Sequence, residues 1–384
     1  MLVHVPRVST LVFVGLLFVA LTSIGCRQRE EITYPARAEV SKLTPPMQQL
    51  LAQKLTELAG TPAQPKLLSQ PDFSVTRLLA GQAAFQQRCA ACHGDSGNGA
   101  GPAAVALNPK PRDYRKGIFK FISTIDLDNP SGNRKKKPTR EDLAAVIRRG
   151  AVGTSMPAFP LLPEQEVQDL IDYVRYLAER GELEYRILTL FEAEEDVFED
   201  VPSAEGGDPT AEEQVRKVRF VDDVVEQQVA AIAADWNKAD DFVMQPLSTE
   251  PRFSLESVAR GRDAFLGNVG NCYGCHGNDG RGMDIPPEQA KSFQDSWGNL
   301  SRAADLSAGM FHGGGRSIDI YRRIMIGIEP MPSRFADLSK NPELVWDLVH
   351  YVQYIASARR RENAADSVFA IEKPKPAATT SAAE

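Results

Sequence analysis

Two pentapeptides constrain this chain more than any other feature: Cys89-Ala-Ala-Cys92-His93 and Cys272-Tyr-Gly-Cys275-His276. Two thiols three positions apart share one turn of helix, and the next residue projects from the same turn. Shuffling this composition would produce one such pentapeptide in roughly one chain per thousand; two make chance a poor explanation. A zinc ribbon would bring its cysteine pairs within ~15–20 residues of each other. Here a whole unit and a linker separate them. A redox disulfide uses the C-x-x-C spacing but has no need of the histidine. Two plain disulfides in an oxidising compartment remain open. The arrangement that uses all three side chains is covalent haem attachment. The thiols add to the two vinyl groups and the imidazole reaches the iron, the c-type signature. The expected cofactors are therefore two covalently bound c-type haems on Cys89, Cys92, Cys272 and Cys275, with His93 and His276 as iron ligands.

The rest of the chain is organised around this duplication. Leu79-Ala-Gly81-x3-Phe85 precedes the first pentapeptide, and Ala259-Arg-Gly261-x3-Phe265 precedes the second. Asp169-Leu-Ile-Asp-Tyr-Val-Arg-Tyr-Leu177 matches Asp347-Leu-Val-His-Tyr-Val-Gln-Tyr-Ile355, each with an apolar face at helical spacing. Long alternating strand patterns are few, so the expected class is all-α. Residues 1–26 read as an export segment, 27–73 as a proline-rich tether with a helix over Met47–Leu58, and 74–181 as a first unit. Residues 182–251 read as a linker. Six of the nine residues Glu192–Asp200 are acidic, and Ala211–Asn237 carries apolar residues at three- and four-residue steps, as one long amphipathic helix. Residues 252–360 form a second unit, and 361–384 read as a disordered tail.

Each unit resembles a class I c-type cytochrome domain, over about 74–181 and 252–359. The resemblance rests on the Gly-x3-Phe helix, the C-x-x-C-H, the glycine-rich stretches after His93 and His276, a Met-Pro loop, and a final aromatic helix. It implies two tandem domains of this fold. Their first and last helices would cross at Gly81 and Gly261, with Tyr173 and Tyr351 packed near Phe85 and Phe265. It also implies a methionine as the distal iron ligand. Met156 lies 63 residues after His93 and Met331 lies 55 after His276, each on a loop after a glycine-ended helix and each followed by proline. In the second unit His312 and Met310 compete with Met331, whereas His350 reads as solvent-facing. Arg112 and Trp297 fall where family members line the haem edge, with propionate contact, plain loop packing and solvent contact all open. The second unit departs from the pattern in the stretch Gly267-Asn-Val-Gly-Asn271, which inserts three residues between the phenylalanine and the first cysteine and is expected to form a bulge.

The N-terminus and the charge place the chain. Val8–Gly25 is a run of 18 uncharged, mostly apolar residues behind a short basic head. Ser23-Ile-Gly-Cys26 loosely resembles a bacterial lipobox, so Cys26 is expected to be lipidated; an uncleaved anchor helix is the alternative. Either way the chain faces the periplasm or the cell exterior, tethered to a membrane. The net charge of −7 argues against nucleic acid as a partner. The basic loop Arg134–Arg140 is either a solvated run or a steering patch for an acidic redox partner. With both irons capped by His and Met and no small organic substrate expected, the resemblance implies a membrane-tethered electron carrier between respiratory redox partners. The alternatives are a cytochrome subunit of a larger respiratory oxidoreductase or terminal oxidase, and a di-haem peroxidase-type enzyme.

Overall fold

The computed structural model describes residues 32–128, 136–193, 211–282 and 293–363. The export segment with Cys26, most of the acidic stretch 192–200, the basic residues 134 and 135, and the tail beyond 363 lie outside them. The described chain is mostly helical. Its one two-stranded sheet is a minimal hairpin, β1 (Gly60–Thr61) with β2 (Gln64–Pro65).

Each half is built on one helix crossing. In the first, α2 (Val75–Arg88) is capped by the Ser74 hydroxyl and crosses α5 (Glu164–Ala193). In the second, α7 (Leu255–Leu266) is capped by Ser254 and crosses α11 (Pro342–Asn363), which follows the single turn α10 (Phe335–Leu338). The crossings are tight because glycine stands at both contact points. A Cβ on Gly81 would lie 2.1 Å from the Asp169 carbonyl oxygen, and one on Gly261 would lie 1.9 Å from that of Asp347. An aromatic pair fills the space beside each glycine. Phe85 meets Tyr173 edge-on at 5.4 Å, and Phe265 meets Tyr351 at 5.2 Å, both at 61°. Such pairs add about 0.5–1.5 kcal/mol beyond their buried area. Arg77 and Arg260 then pair with the aspartates whose carbonyls line the crossing, at 3.1 and 2.7 Å.

The tether expected at 27–73 is corrected from Tyr34 onward, because this segment is packed. Its helix α1 (Pro45–Ala59) starts on prolines, which suit a helix's first turn, and buries Leu51, Leu55 and Ala59 in the first core. Tyr34 shares a hydrogen bond with Tyr173 at 3.0 Å. The Arg37 guanidinium donates to the carbonyls of Arg115 (2.6 Å) and Gly181 (3.5 Å). Prolines here shape a wrap around α5, where Glu184 also accepts from the Arg37 N–H (3.2 Å) and Glu179 from the Ser69 hydroxyl (2.7 Å).

The amphipathic helix of the linker is present over its full expected span, as α6 (Ala211–Asn237). It lays Val225, Ile232 and Trp236 on α5, within the first core. Trp236 meets Phe119 edge-on at 5.9 Å. The chain after Phe119 leaves the first half. Ile122 and Ile125 are buried in the second core with Tyr321, Met325 and Trp346, and Phe119 packs against both cores. Backbone hydrogen bonds fix this crossing: Met244 N–H to Ser123 (2.7 Å) and Ile125 N–H to Phe242 (2.8 Å). The basic loop, where described, is spent internally. Lys136 pairs with Asp126 at 3.0 Å, Lys137 with Glu182 at 2.6 Å, and Arg140 with Asp172 at 2.5 Å. Those three side chains are therefore no steering patch.

Candidate functional site

Helix α2 ends at Arg88, and the single turn α3 (Ala90–His93) follows at once. Cys89 N–H donates to the Phe85 carbonyl at 2.7 Å, and His93 N–H to the Cys89 carbonyl at 2.9 Å. Cys89, Cys92 and His93 are thus held on one turn, anchored to the aromatic core by Phe85. The second turn, α8 (Tyr273–His276), repeats this despite its three extra residues. Cys272 N–H still reaches the Phe265 carbonyl at 3.1 Å. The insert loops out, with Asn271 at φ 46° and Gly270 N–H bonded to Ala264. Arg334 donates twice to the Gly270 carbonyl, at 2.9 and 2.6 Å, and so ties the bulge to the chain just after Met331. The expected bulge is present, and its anchor was not foreseen.

Both histidines are oriented by the same device. The Nδ1 of His93 lies 3.1 Å from the Arg112 carbonyl, and that of His276 lies 3.1 Å from the Ala304 carbonyl. A carbonyl only accepts, so Nδ1 carries the proton in each ring and the Nε2 lone pair is left for a metal. Burial pushes both imidazoles below the ordinary value, which keeps them neutral and fit to ligate. Tyr114 stacks on His93 at 4.8 Å and 18°, a contact not anticipated from the sequence.

The glycine-rich stretches close around these turns with matching bonds. Gly99 and Gly282 donate to the carbonyls of His93 and His276, each at 2.8 Å. Tyr114 and Leu306 donate to Gly97 and Gly280, each at 2.7 Å. Gly97 and Gly280 have φ of 71° and 75°, which only glycine adopts readily, and a Cβ there would strike Tyr114 or Ile355.

The methionines sit on separate loops. Helix α4 (Arg140–Arg149) is capped by Thr139 and Asp142 and stops at Gly150; α9 (Ser317–Ile326) stops at Gly327. Both glycines have positive φ (67° and 78°), and both press on the methionine's own backbone. A Cβ on Gly150 or Gly327 would lie 2.7 Å from the carbonyl oxygen of Met156 or Met331. Met331 is further tied by paired backbone bonds with Ile328, at 3.0 and 2.7 Å. Met156 N–H is held by the Thr154 hydroxyl at 3.2 Å. His312 lies against the first methionine loop, 2.8 Å from where a Cβ on Gly153 would be, with Met310 close by.

One reading of the sequence is corrected by contacts. His350 is buried, not solvent-facing. The Ser257 hydroxyl donates to Asp347 at 2.6 Å and therefore accepts from His350 Nδ1 at 2.7 Å. The indole N–H of Trp297 is occupied by the Asp113 carbonyl at 3.2 Å, and the Arg112 guanidinium lies 3.5 Å from its ring centroid.

The donor set fits a covalently held haem better than a thiol catalyst. All four described cysteines are unpaired. Burial pushes Cys89 up to about 12 and Cys272 up to about 11, whereas a redox dithiol needs a thiolate near neutral pH. Among the described residues no cluster of three or more His, Cys, Asp or Glu suits a bare metal ion. The family model described as cytochrome c oxidase, cbb3-type, subunit III matches residues 76–174.

That match supports a c-type cytochrome.

It spans α2 through the middle of α5, and so includes the first cysteine turn, the Arg112 carbonyl and the Met156 loop. For the matched segment, the family description supports a c-type haem and an electron-transfer role. A chain of the Kuenenia stuttgartiensis reducing HAO-like protein complex superposes with a TM-score of 0.47 at 23% identity. The superposition covers 72% of this chain and 95% of that one. No curated protein matches the chain.

Proposed function

We propose that this chain is an exported, membrane-tethered di-haem cytochrome that passes single electrons between protein redox partners. The observation that carries the reading is the duplication of one orienting geometry. In both halves a C-x-x-C-H turn hangs from a core phenylalanine carbonyl, and its histidine Nδ1 is fixed 3.1 Å from a backbone carbonyl. The second half, which the family match does not reach, would then be a second class I domain.

In this reading Cys89 and Cys92 hold the first haem and His93 with Met156 hold its iron. Cys272 and Cys275 hold the second, with His276 and Met331. The haem supplies one-electron exchange between Fe(III) and Fe(II). The protein does the rest. The Arg112 and Ala304 carbonyls set the histidine tautomer, and a hydrogen bond at Nδ1 makes Nε2 a better donor. Gly150 and Gly327 hold the methionine loops, which lowers the ordering cost of a weak thioether bond. Methionine at the distal position raises the potential relative to histidine. The placement of His312 against Gly153 favours Met331 over His312 as the second distal ligand.

Haem counting by intact mass and pyridine haemochrome tests the reading directly. Two haems per chain are expected, and one or none overturns it. Reduced protein that ignores CO excludes the peroxidase-type alternative, since a CO-binding high-spin fraction requires an open iron. Met156→Ala and Met331→Ala should each remove half of the methionine–iron charge-transfer band. A second reading, a fixed subunit of a larger respiratory oxidoreductase or terminal oxidase, is favoured by the family match. Mild detergent extraction and sizing separates the two. Tethering through Cys26 is tested by fatty-acid labelling in cells, which Cys26→Ala should abolish.

A further inference from the structure

We propose that Trp297, from the second half of the chain, is a positioning residue for the first histidine and helps set the reduction potential of the centre that His93 holds. This rests on the di-haem reading above. His93 Nδ1–H donates to the Arg112 carbonyl at 3.1 Å, so the placement of the 112–113 backbone decides the orientation of the ring. Trp297 holds this dipeptide at two points, one on the backbone and one on a side chain. Its indole N–H donates to the Asp113 carbonyl at 3.2 Å, and its ring lies under the Arg112 guanidinium at 3.5 Å from the centroid. The turn bearing Trp297 is itself held to the first half. Asp295 pairs with Lys120 at 2.8 Å, and Lys116 donates to the Ser296 carbonyl at 2.9 Å. The other side of the same turn reaches the second methionine loop, where Ser296 N–H donates to Glu329 at 3.2 Å, two residues before Met331.

The two sites differ at this point. His276 bonds to the carbonyl of Ala304, which carries no charge, whereas His93 bonds to that of Arg112. Arg112 is partly buried, and its cation, on the residue whose carbonyl holds His93, would favour the reduced iron, because charges interact more strongly away from water. Trp297 keeps that cation in place by a cation–π contact and a fixed peptide. Without the ring, the long arginine side chain is free to turn its head to solvent.

The experiment uses the full haem-loaded chain and spectroelectrochemical titration, after haem counting. Met156→His identifies the first centre's midpoint by lowering it. Arg112→Leu should lower that same midpoint by about tenfold in the reduction equilibrium, which is ~59 mV for one electron. Trp297→Leu should move it in the same direction. Trp297→Phe, which keeps a ring and loses the N–H donor, should move it less but measurably, and it carries the test if Trp297→Leu does not accumulate. The other midpoint should stay in place throughout. An unmoved first midpoint in both Trp297 variants, or equal shifts of the two, overturns the role of Trp297. Fewer than two haems on the unaltered chain overturns the di-haem reading instead.

Discussion

Gly81 lies so close to Asp169 that a single added methyl group would sit 2.1 Å from the aspartate's carbonyl oxygen. Gly261 stands in the same relation to Asp347. Neither contact can be relieved by a rotamer, because the neighbour is backbone. Gly81→Ala and Gly261→Ala should therefore each destabilise the protein by about 1–3 kcal/mol through overpacking. Gly274→Ala, whose Cβ would meet nothing nearer than 3.4 Å, should be close to neutral. Denaturant melts of the three variants check this. Equal stability of all three would mean that the crossings are looser than described.

Lys137 and Glu182 form an ion pair at 2.6 Å, with side chains 11% and 7% exposed. Removing one partner strands the other's charge, and for a buried pair this costs about 3–5 kcal/mol. Arg186 also reaches Glu182 at 2.8 Å, so the loss in Lys137→Met should fall at the lower end, about 3 kcal/mol. Lys137→Met combined with Glu182→Leu should recover most of it. A double-mutant cycle on thermal melts reads the coupling, and additive losses would show the pair to be independent.

His350 gives a pH dependence with a definite sign. Burial pushes its imidazole below 6.5, against the pull of Glu250 and Asp347 and with some help from Arg260. The unfolded chain therefore binds the proton more readily, and stability must rise with pH across this window. The contribution is complete above about 6.5 and is lost as pH falls from there toward the folded value. Replacing His350 with Gln should flatten part of the acid slope of stability below about pH 6.5. Chemical melts at several pH values measure it; an unchanged slope would mean that His350 does not titrate on unfolding.

Gly327 combines φ 78° with ψ 169°, a region nearly reserved for glycine, and a Cβ would meet the Met331 carbonyl. Gly327→Ala should cost about 1–3 kcal/mol. The strain should appear at the Met331 loop, as loss of one half of the methionine–iron band. Gly150→Ala should remove the other half. If either substitution removes both halves, the loops are not independent.

Much of the site could be read from residue order because its parts are local. The two C-x-x-C-H turns, the glycine-ended helices before each methionine, and the span Ala211–Asn237 all depend on near neighbours. The bulge at Gly267–Asn271 was legible for the same reason. What escaped notice depends on partners far along the chain. His350 is off the apolar stripe of Leu348, Tyr351 and Val352, so periodicity assigns it to water. Ser257 and the strap through Glu250 cover that face, and no pattern within α11 announces them. The segment 32–73 carries proline because it bends around α5; its burial comes from Tyr173, Glu179 and Glu184. Trp297 reads as a residue near a haem edge, and only the fold shows its N–H given to Asp113.

The strip from Phe119 to Ile125 has a consequence for how the chain is made. Its isoleucines are covered by Tyr321, Met325 and Trp346, residues joined to the polypeptide long after the first half is complete. A nascent chain emerging from its N-terminus thus shows an unsheltered greasy edge until the last third arrives. Such edges attract other chains and chaperones. A first half expressed alone should be sticky however well its own core forms.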